Sequence, residues 1–323
     1  MSAPGREGRL LRAAVLAAVA AGVLAPIAAG LWQTLRAAAG VMPAIGATGA
    51  GLAPLRTLFE LPGIGTSLGV TLVTGAGATG LSLALALALA AVAHARLASP
   101  AGARLLAPFL AAPHAALAIG LAFLLAPSGW IARALAPLAG WERPPELVTV
   151  GDPWGLALIL GLAAKEVPFL LLMILSALSQ IRLRRDMAAA RALGYARGIV
   201  WIKVIAPQLW PLIRLPVMVV LAFSLSVVDM ALILGPSNPP TLAVLLTRLF
   251  ADPDIASMLP ASAGAMVQLG LVVAAFAGLW LAERGARAAG LWWLRRGGRG
   301  VTAEPGLRLA QFRSWAALDI APG

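Results

Sequence analysis

The chain has no cysteine and only two histidines among its 323 residues. Without cysteine there is no disulfide, no thiolate-bound zinc, no iron–sulfur cluster and no thiol nucleophile. Two histidines and no cysteine leave too few soft ligands for a catalytic transition-metal site. The patterns H-E-x-x-H and G-x-x-x-x-G-K-[ST] are also missing, so no zinc-hydrolase helix or phosphate-binding loop is recognisable. No catalytic residue, metal ligand or cofactor is therefore assigned, and the chain is not expected to be an enzyme. Charge is scarce as well: charged residues make up 12%, with 13 acids against 25 Lys and Arg.

What fills the chain is apolar. Hydrophobic residues make up 60%, and the mean hydropathy is +0.89. Apolar runs of about 18 residues or more recur, long enough to cross the hydrocarbon core of a bilayer as helices. A net charge of +12 would suggest a nucleic-acid partner in a soluble domain. In a membrane protein it reflects arginine-loaded cytoplasmic loops, so the expected environment is the lipid bilayer and no nucleic acid is expected. Six spans are expected, over about 13–36, 66–93, 105–126, 155–178, 209–235 and 262–283. Backbone groups in lipid must be satisfied within the segment, which makes helices the default. The fold class is thus an all-α integral membrane protein. The first span runs from Ala13 to Trp32 behind Arg6, Arg9 and Arg12. It is longer than a signal-peptide core and reads as an uncleaved helix, with "APIAAG" as an alternative cleavage site. Gly75, Gly77 and Gly80 are expected to give the second span a small-residue packing face.

Arg and Lys set the orientation. With the N-terminus inside, 19 of them fall on inner segments, 5 on outer ones, and Lys165 within a span. That asymmetry favours N-in, C-in. The outer loops carry Trp130, Trp141 and Trp154, at borders where an interfacial belt is expected. "LWWLRRGGRG" near the C-terminus suits a helix end at the inner interface. The expected organisation is a first span and outer loop over 1–60, a core over 61–285, and a basic cytoplasmic tail over 286–323.

The longest inner loop between spans, 182–207, is patterned. "RRDMAAARAL" consists of strong helix formers, and Gly194 is placed to end that helix. "YARGIVWIKVIAP" then offers a second short helix with Ile199, Ile202 and Ile205 on one side. Pro207 and Pro211 mark the entry to the fifth span. A loop that only sets topology needs its arginines but not this order.

The pattern resembles the EAA loop of type I ABC importer permeases, proteins of the MetI-like fold. That loop reads E-A-A-x-x-x-G and, nine residues on, I-x-L-P. Here Ala188, Ala189, Ala190, Arg191, Ala192, Leu193 and Gly194 are followed by Val204, Ile205, Ala206 and Pro207. The usual Glu is Ala188, and the Leu before Pro is Ala206. Six spans with the loop between the fourth and fifth match that family's arrangement. "KEVPFLLLMILSALSQI" and "VVDMALILGPSNPPTLAVLLTRLFADPD" look like permeases of the YnjC type, grouped with thiamine, sulfate and iron permeases. Those are often double-length with two such loops; this chain has one and resembles a half-transporter, or carries in its last residues the start of a second half. The resemblance implies a solute pathway coupled to ABC ATPase subunits that bind the ATP. It also implies a second permease, identical or homologous, an extracytoplasmic solute-binding protein, and residence in the inner membrane. The stretch from Ala188 to Tyr195, with Pro207, would form the coupling element, Arg191 and Tyr195 hydrogen-bonding the ATPase. A secondary transporter or channel working without ATP is the alternative.

Four residues are candidates for the translocation pathway. Lys165 and Glu166 fall inside the fourth span, where each costs about 2.5–3.5 kcal/mol at the helix centre and needs a partner on another helix. A gate charge and an interhelical ion pair are both open readings. Asp229 lies in the fifth span with Ser226 on the same helical face, placed to attract a cationic solute or to pair with Lys165. His114 is expected to be a hydrogen-bonded structural residue, and His94 a border residue with no evident partner.

Overall fold

A computed structural model of the chain describes residues 6–295. Among them the structure is helical without a strand, apart from one isolated bridge between Met42 and Ala47. Six helical stretches are long and apolar enough to cross a membrane: Leu10–Ala38, Ile64–Leu97, His114–Ala139, Leu156–Leu178, Arg197–Ser226 and Ile255–Trp293. The protein is thus an all-helical, six-span membrane protein. The basic tail beyond residue 295 lies outside the described residues.

The sixth span is longer than expected, Ile255–Trp293 against 262–283, and two others break. The third was expected over 105–126, but its helix stops at Ala111, and a new one starts at His114. Ala112 is extended (φ −61°, ψ 132°), because the ring of Pro113 excludes the α conformation from the residue before it. The short helix Pro100–Ala111 begins at Ser99, whose hydroxyl accepts from Gly102 N at 3.3 Å, with proline in the first turn; this is a standard N-cap arrangement. The fifth span was expected to run to 235. Its helix ends at Ser226, and a separate turn, Asp229–Leu234, follows. No proline or glycine marks this break. Met230 N donates to the Asp229 carboxylate at 2.8 Å instead of continuing the ladder, and Gln268 Nε2 donates to the freed Leu225 carbonyl at 3.1 Å.

Prolines elsewhere are absorbed rather than breaking helices. A five-residue π turn, Ala20–Leu24, precedes Ala25-Pro26, and another, Trp201–Ile205, precedes Ala206-Pro207. A proline ring clashes with the carbonyl four residues back and offers it no N–H. Widening the preceding turn by one residue moves that carbonyl aside. The second loop helix therefore does not end at Pro207 but runs on into the fifth span. The π turn also changes its register: Ile205 is buried while Ile202 is exposed, so the expected Ile199, Ile202, Ile205 face does not form.

The chain divides into two compact units. The first comprises residues up to Ala78, Pro113–Leu162 and Leu221–Ala275. Its core includes Ala78, Ala118, Leu158, Leu162, Met230 and Leu234, with a second cluster at Leu58, Ile64, Leu242 and Leu246. Asp152, itself buried, accepts from Leu156 N at 2.8 Å and Ala157 N at 3.0 Å and so starts the fourth span. Thr71 Oγ1 accepts from Leu242 N at 2.8 Å and fixes the first turn of the helix Leu242–Phe250. Gly75 packs on Leu225: a Cβ there would lie 3.2 Å from the Leu225 Cα, which is backbone and cannot rotate away. Gly77 likewise packs closely, a Cβ there lying 3.1 Å from Ile159 Cδ1, whereas Gly80 faces open space and takes no part in that packing.

The second unit comprises Thr79–Ala112, Ala163–Val220 and the chain from Phe276 on. Its core joins Ala86 and Ala90 to Leu170, Leu171 and Ile174, and continues through Val200, Trp201, Ile205, Leu209 and Ile213. The inner loop is thus packed onto the same core as the fourth and fifth spans rather than hanging free.

Candidate functional site

The loop helix is Leu183–Ala192. It stops where the sequence indicates. Gly194 has φ +82°, a left-handed conformation that only glycine adopts without strain. Gly194 N donates to Arg191 O at 2.9 Å and Tyr195 N to Ala190 O at 3.1 Å. These two bonds form a Schellman turn, satisfying carbonyls the helix end would otherwise leave unpaired. Ala190 and Tyr195 bracket the turn and pack on the core of the second unit.

Helical periodicity divides this segment cleanly. Residues about 100° apart along the helix put Leu183, Met187 and Ala190 on the core side, partly or fully buried. Ala188, Ala189, Arg191, Ala192, Leu193 and Gly194 are exposed, together with Arg184 and Arg185. Asp186 holds the helix in place: its carboxylate accepts from Gln208 Nε2 at 3.2 Å, across to the fifth span. Beside the helix is an open depression of about 420 Å³, lined by Asp186, Ala189, Ala190, Leu193, Tyr195, Lys203, Val204 and Gln208. Lys203 is buried, with its Nζ 5.7 Å from the Tyr195 ring centroid and 4.3 Å from that of Trp293. Cation–π contact at that range ties the last helix to the loop. Trp293 thus packs on the loop, while its neighbour Trp292 is exposed. Pro207 is exposed within the continuous helix. His94 is not partnerless: its Nδ1 lies 3.1 Å from Ala90 O and its ring 6.0 Å from Trp201. His114 stacks against Phe223 at 4.7 Å.

The intramembrane charges resolve differently. Lys165 is buried, and its ammonium donates to Phe109 O at 2.9 Å, Leu110 O at 3.0 Å and Ala112 O at 2.6 Å. An ammonium has three donors, so all are used. Phe109 is the residue whose helical partner would be the N–H of residue 113, and that residue is proline. Lys165 thus caps the interrupted helix Pro100–Ala111 with a positive charge at its carbonyl end, where the helix dipole favours a cation. The partner it requires on another element is backbone, not a carboxylate. Glu166 is buried beside it and has an interaction of its own. Ser226 and Asp229 do not share a helical face, because the helix breaks between them. Both are exposed; Ser226 Oγ donates to Ala222 O at 2.7 Å, and Asp229 accepts from Met230 N. Of the eight residues Ala188–Tyr195, six are exposed together in the second unit, while Ala190 is buried and Tyr195 packs against the core. The pathway candidates are divided, Lys165 and Glu166 in the second unit and Ser226 and Asp229 in the first.

Sequence reasoning missed the Lys165 cap, the Thr71 hydroxyl that holds the helix Leu242–Phe250, and the Asp152 cap. The signal for the first was available in Pro113, whose missing N–H demands an outside donor for Phe109.

No protein-family model matches the chain. Among curated proteins it is similar to the inner membrane ABC transporter permease protein YnjC of Escherichia coli (strain K12), 35% identical over 146 residues. The match covers 45% of this chain and 27% of that protein, so the aligned stretch spans about a quarter of the relative's length. The resemblance to ABC transporter permeases is borne out by this similarity.

Proposed function

We propose that the chain is a permease subunit of an ATP-binding-cassette importer in the inner membrane, lining part of the solute path and driven by a separate ATPase. The observation that carries this reading is the loop helix Leu183–Ala192 with its Schellman stop at Gly194. A six-span protein has no structural need for a short helix clamped at both ends to its own core with an exposed alanine face. Such a stub suits transmission of force: Asp186–Gln208 and Lys203–Trp293 join it to the fifth and last spans. The similarity to an ABC transporter permease supports the same assignment.

On this reading the chain is oriented N-in, C-in, following its arginines, and 61–285 forms the permease core. Its partners are two ABC ATPase subunits, a second permease copy or a homologous permease, and an extracytoplasmic solute-binding protein. ATP binds on the partner and not on this chain. The test is co-expression with candidate ATPase subunits and purification through the permease, followed by uptake in proteoliposomes. The expected result is stoichiometric recovery of an ATPase and uptake that needs ATP. Uptake by the chain alone without ATP would establish the secondary-transporter reading instead.

A further inference from the structure

The segment 182–207 carries six basic residues and one acid. The single acid, Asp186, is turned to Gln208. On the exposed side of the loop helix, Arg184 and Arg191 fall within about 20° of one another, and Ala188, Ala192 and Arg185 follow at about 40°, 80° and 100° from Arg184. All five are exposed. None of these arginines makes an ion pair among the described residues. The result is a flush strip of methyl groups bordered by guanidinium groups, next to the depression floored by Ala189 and Ala190 and edged by the exposed Leu193.

We infer that this face docks into an acidic groove on its protein partner, with Asp or Glu side chains set on both sides of an apolar floor. The inference rests on the coupling reading above and adds the polarity of the contact. Three features select a protein groove. The alanine strip lets a second surface approach to backbone distance, which lipid headgroups do not require. Guanidinium groups present planar forks suited to paired carboxylates. The depression beside the strip is sized for an apolar side chain from the partner. With Ala188 at the position where the family pattern has Glu, the helix offers the partner mainly cations, its one acid, Asp186, being bonded to Gln208 at the edge of the depression.

The test uses the full chain with its ATPase in detergent. ATPase affinity is measured as a function of NaCl for the wild type, for Arg184→Glu/Arg191→Glu, and for Arg184→Gln/Arg191→Gln. The expected result is an affinity that falls with salt, a loss of about tenfold or more for the Glu pair, and an intermediate loss for the Gln pair. The arginines make no ion pair among the described residues, so the thermal midpoint should be unchanged. If the Glu pair misfolds, the Gln pair and the salt series still decide. Equal affinity for all three proteins with no salt dependence would overturn the acidic groove while leaving ATPase coupling intact. No ATPase bound by the wild type at any salt would remove the coupling reading and this inference together. In nanodiscs of graded phosphatidylglycerol content, a change confined to lipid dependence, with ATPase affinity unaltered, would make these arginines a headgroup contact and overturn the proposal.

Discussion

Replacing Lys165 by Met tests the central geometric claim about the intramembrane charges. The substitution keeps the chain length and apolar volume but removes three donors. Each of the three carbonyls then stands unpaired at a part-buried site, at about 2 kcal/mol apiece, or about 6 kcal/mol together. Removing a charge from a span recovers about 3 kcal/mol on insertion scales. The expected net destabilisation is about 3 kcal/mol, from the bonds at 2.9, 3.0 and 2.6 Å. Denaturant unfolding in mixed micelles measures it. Lys165→Arg should cost less, since a cation with several donors remains. Pro113→Ala should soften the loss, because residue 113 regains an N–H for Phe109 O; the double variant is expected to show a coupling of about 1 kcal/mol or more. A Lys165→Met protein within about 0.5 kcal/mol of wild type would show that the helix break is hydrated and does not need the lysine. Full stability with uptake abolished would turn the residue back into a pathway charge.

Three further outcomes follow from the packing. Gly194→Ala should strain the φ +82° turn by about 1 kcal/mol, and Gly194→Asn by less; faster amide exchange in residues 183–195 with little change in global unfolding is the expected signature, and unchanged exchange would count against the Schellman stop. Gly75→Ala should destabilise by about 1–3 kcal/mol through overpacking, since the new methyl meets the Leu225 backbone; chemical unfolding reads it, and a neutral result would mean that these helices separate freely. Asp152→Ala should cost about 0.5–2 kcal/mol by freeing the N–H groups of Leu156 and Ala157, with Asp152→Asn recovering part of it in the same assay.

The sequence by itself determined the six apolar spans, the loop between the fourth and fifth, and the stop at Gly194. These are local properties: hydropathy over about 20 residues, helix propensity, and one residue type that accepts a left-handed backbone. It also carried the resemblance to ABC permeases, since a motif spacing is linear. The loop helix's inner face, Leu183, Met187 and Ala190, follows from periodicity, but the alanine repeat alone did not say which alanines face out. Tertiary structure decided what periodicity does not reach. Lys165 finds its carbonyls 53 to 56 residues away, and Gln268 holds the Leu225 carbonyl from 43 residues away. Ser226 and Asp229 were assigned one face on the assumption of an unbroken helix, yet the break between them has no proline or glycine to announce it. The two π turns absorbed Pro26 and Pro207 where a simple reading of proline expects an end or a kink. In each case the sequence specifies a polar group or a ring that must be accommodated at membrane depth, and only the packed chain determines which distant backbone accommodates it.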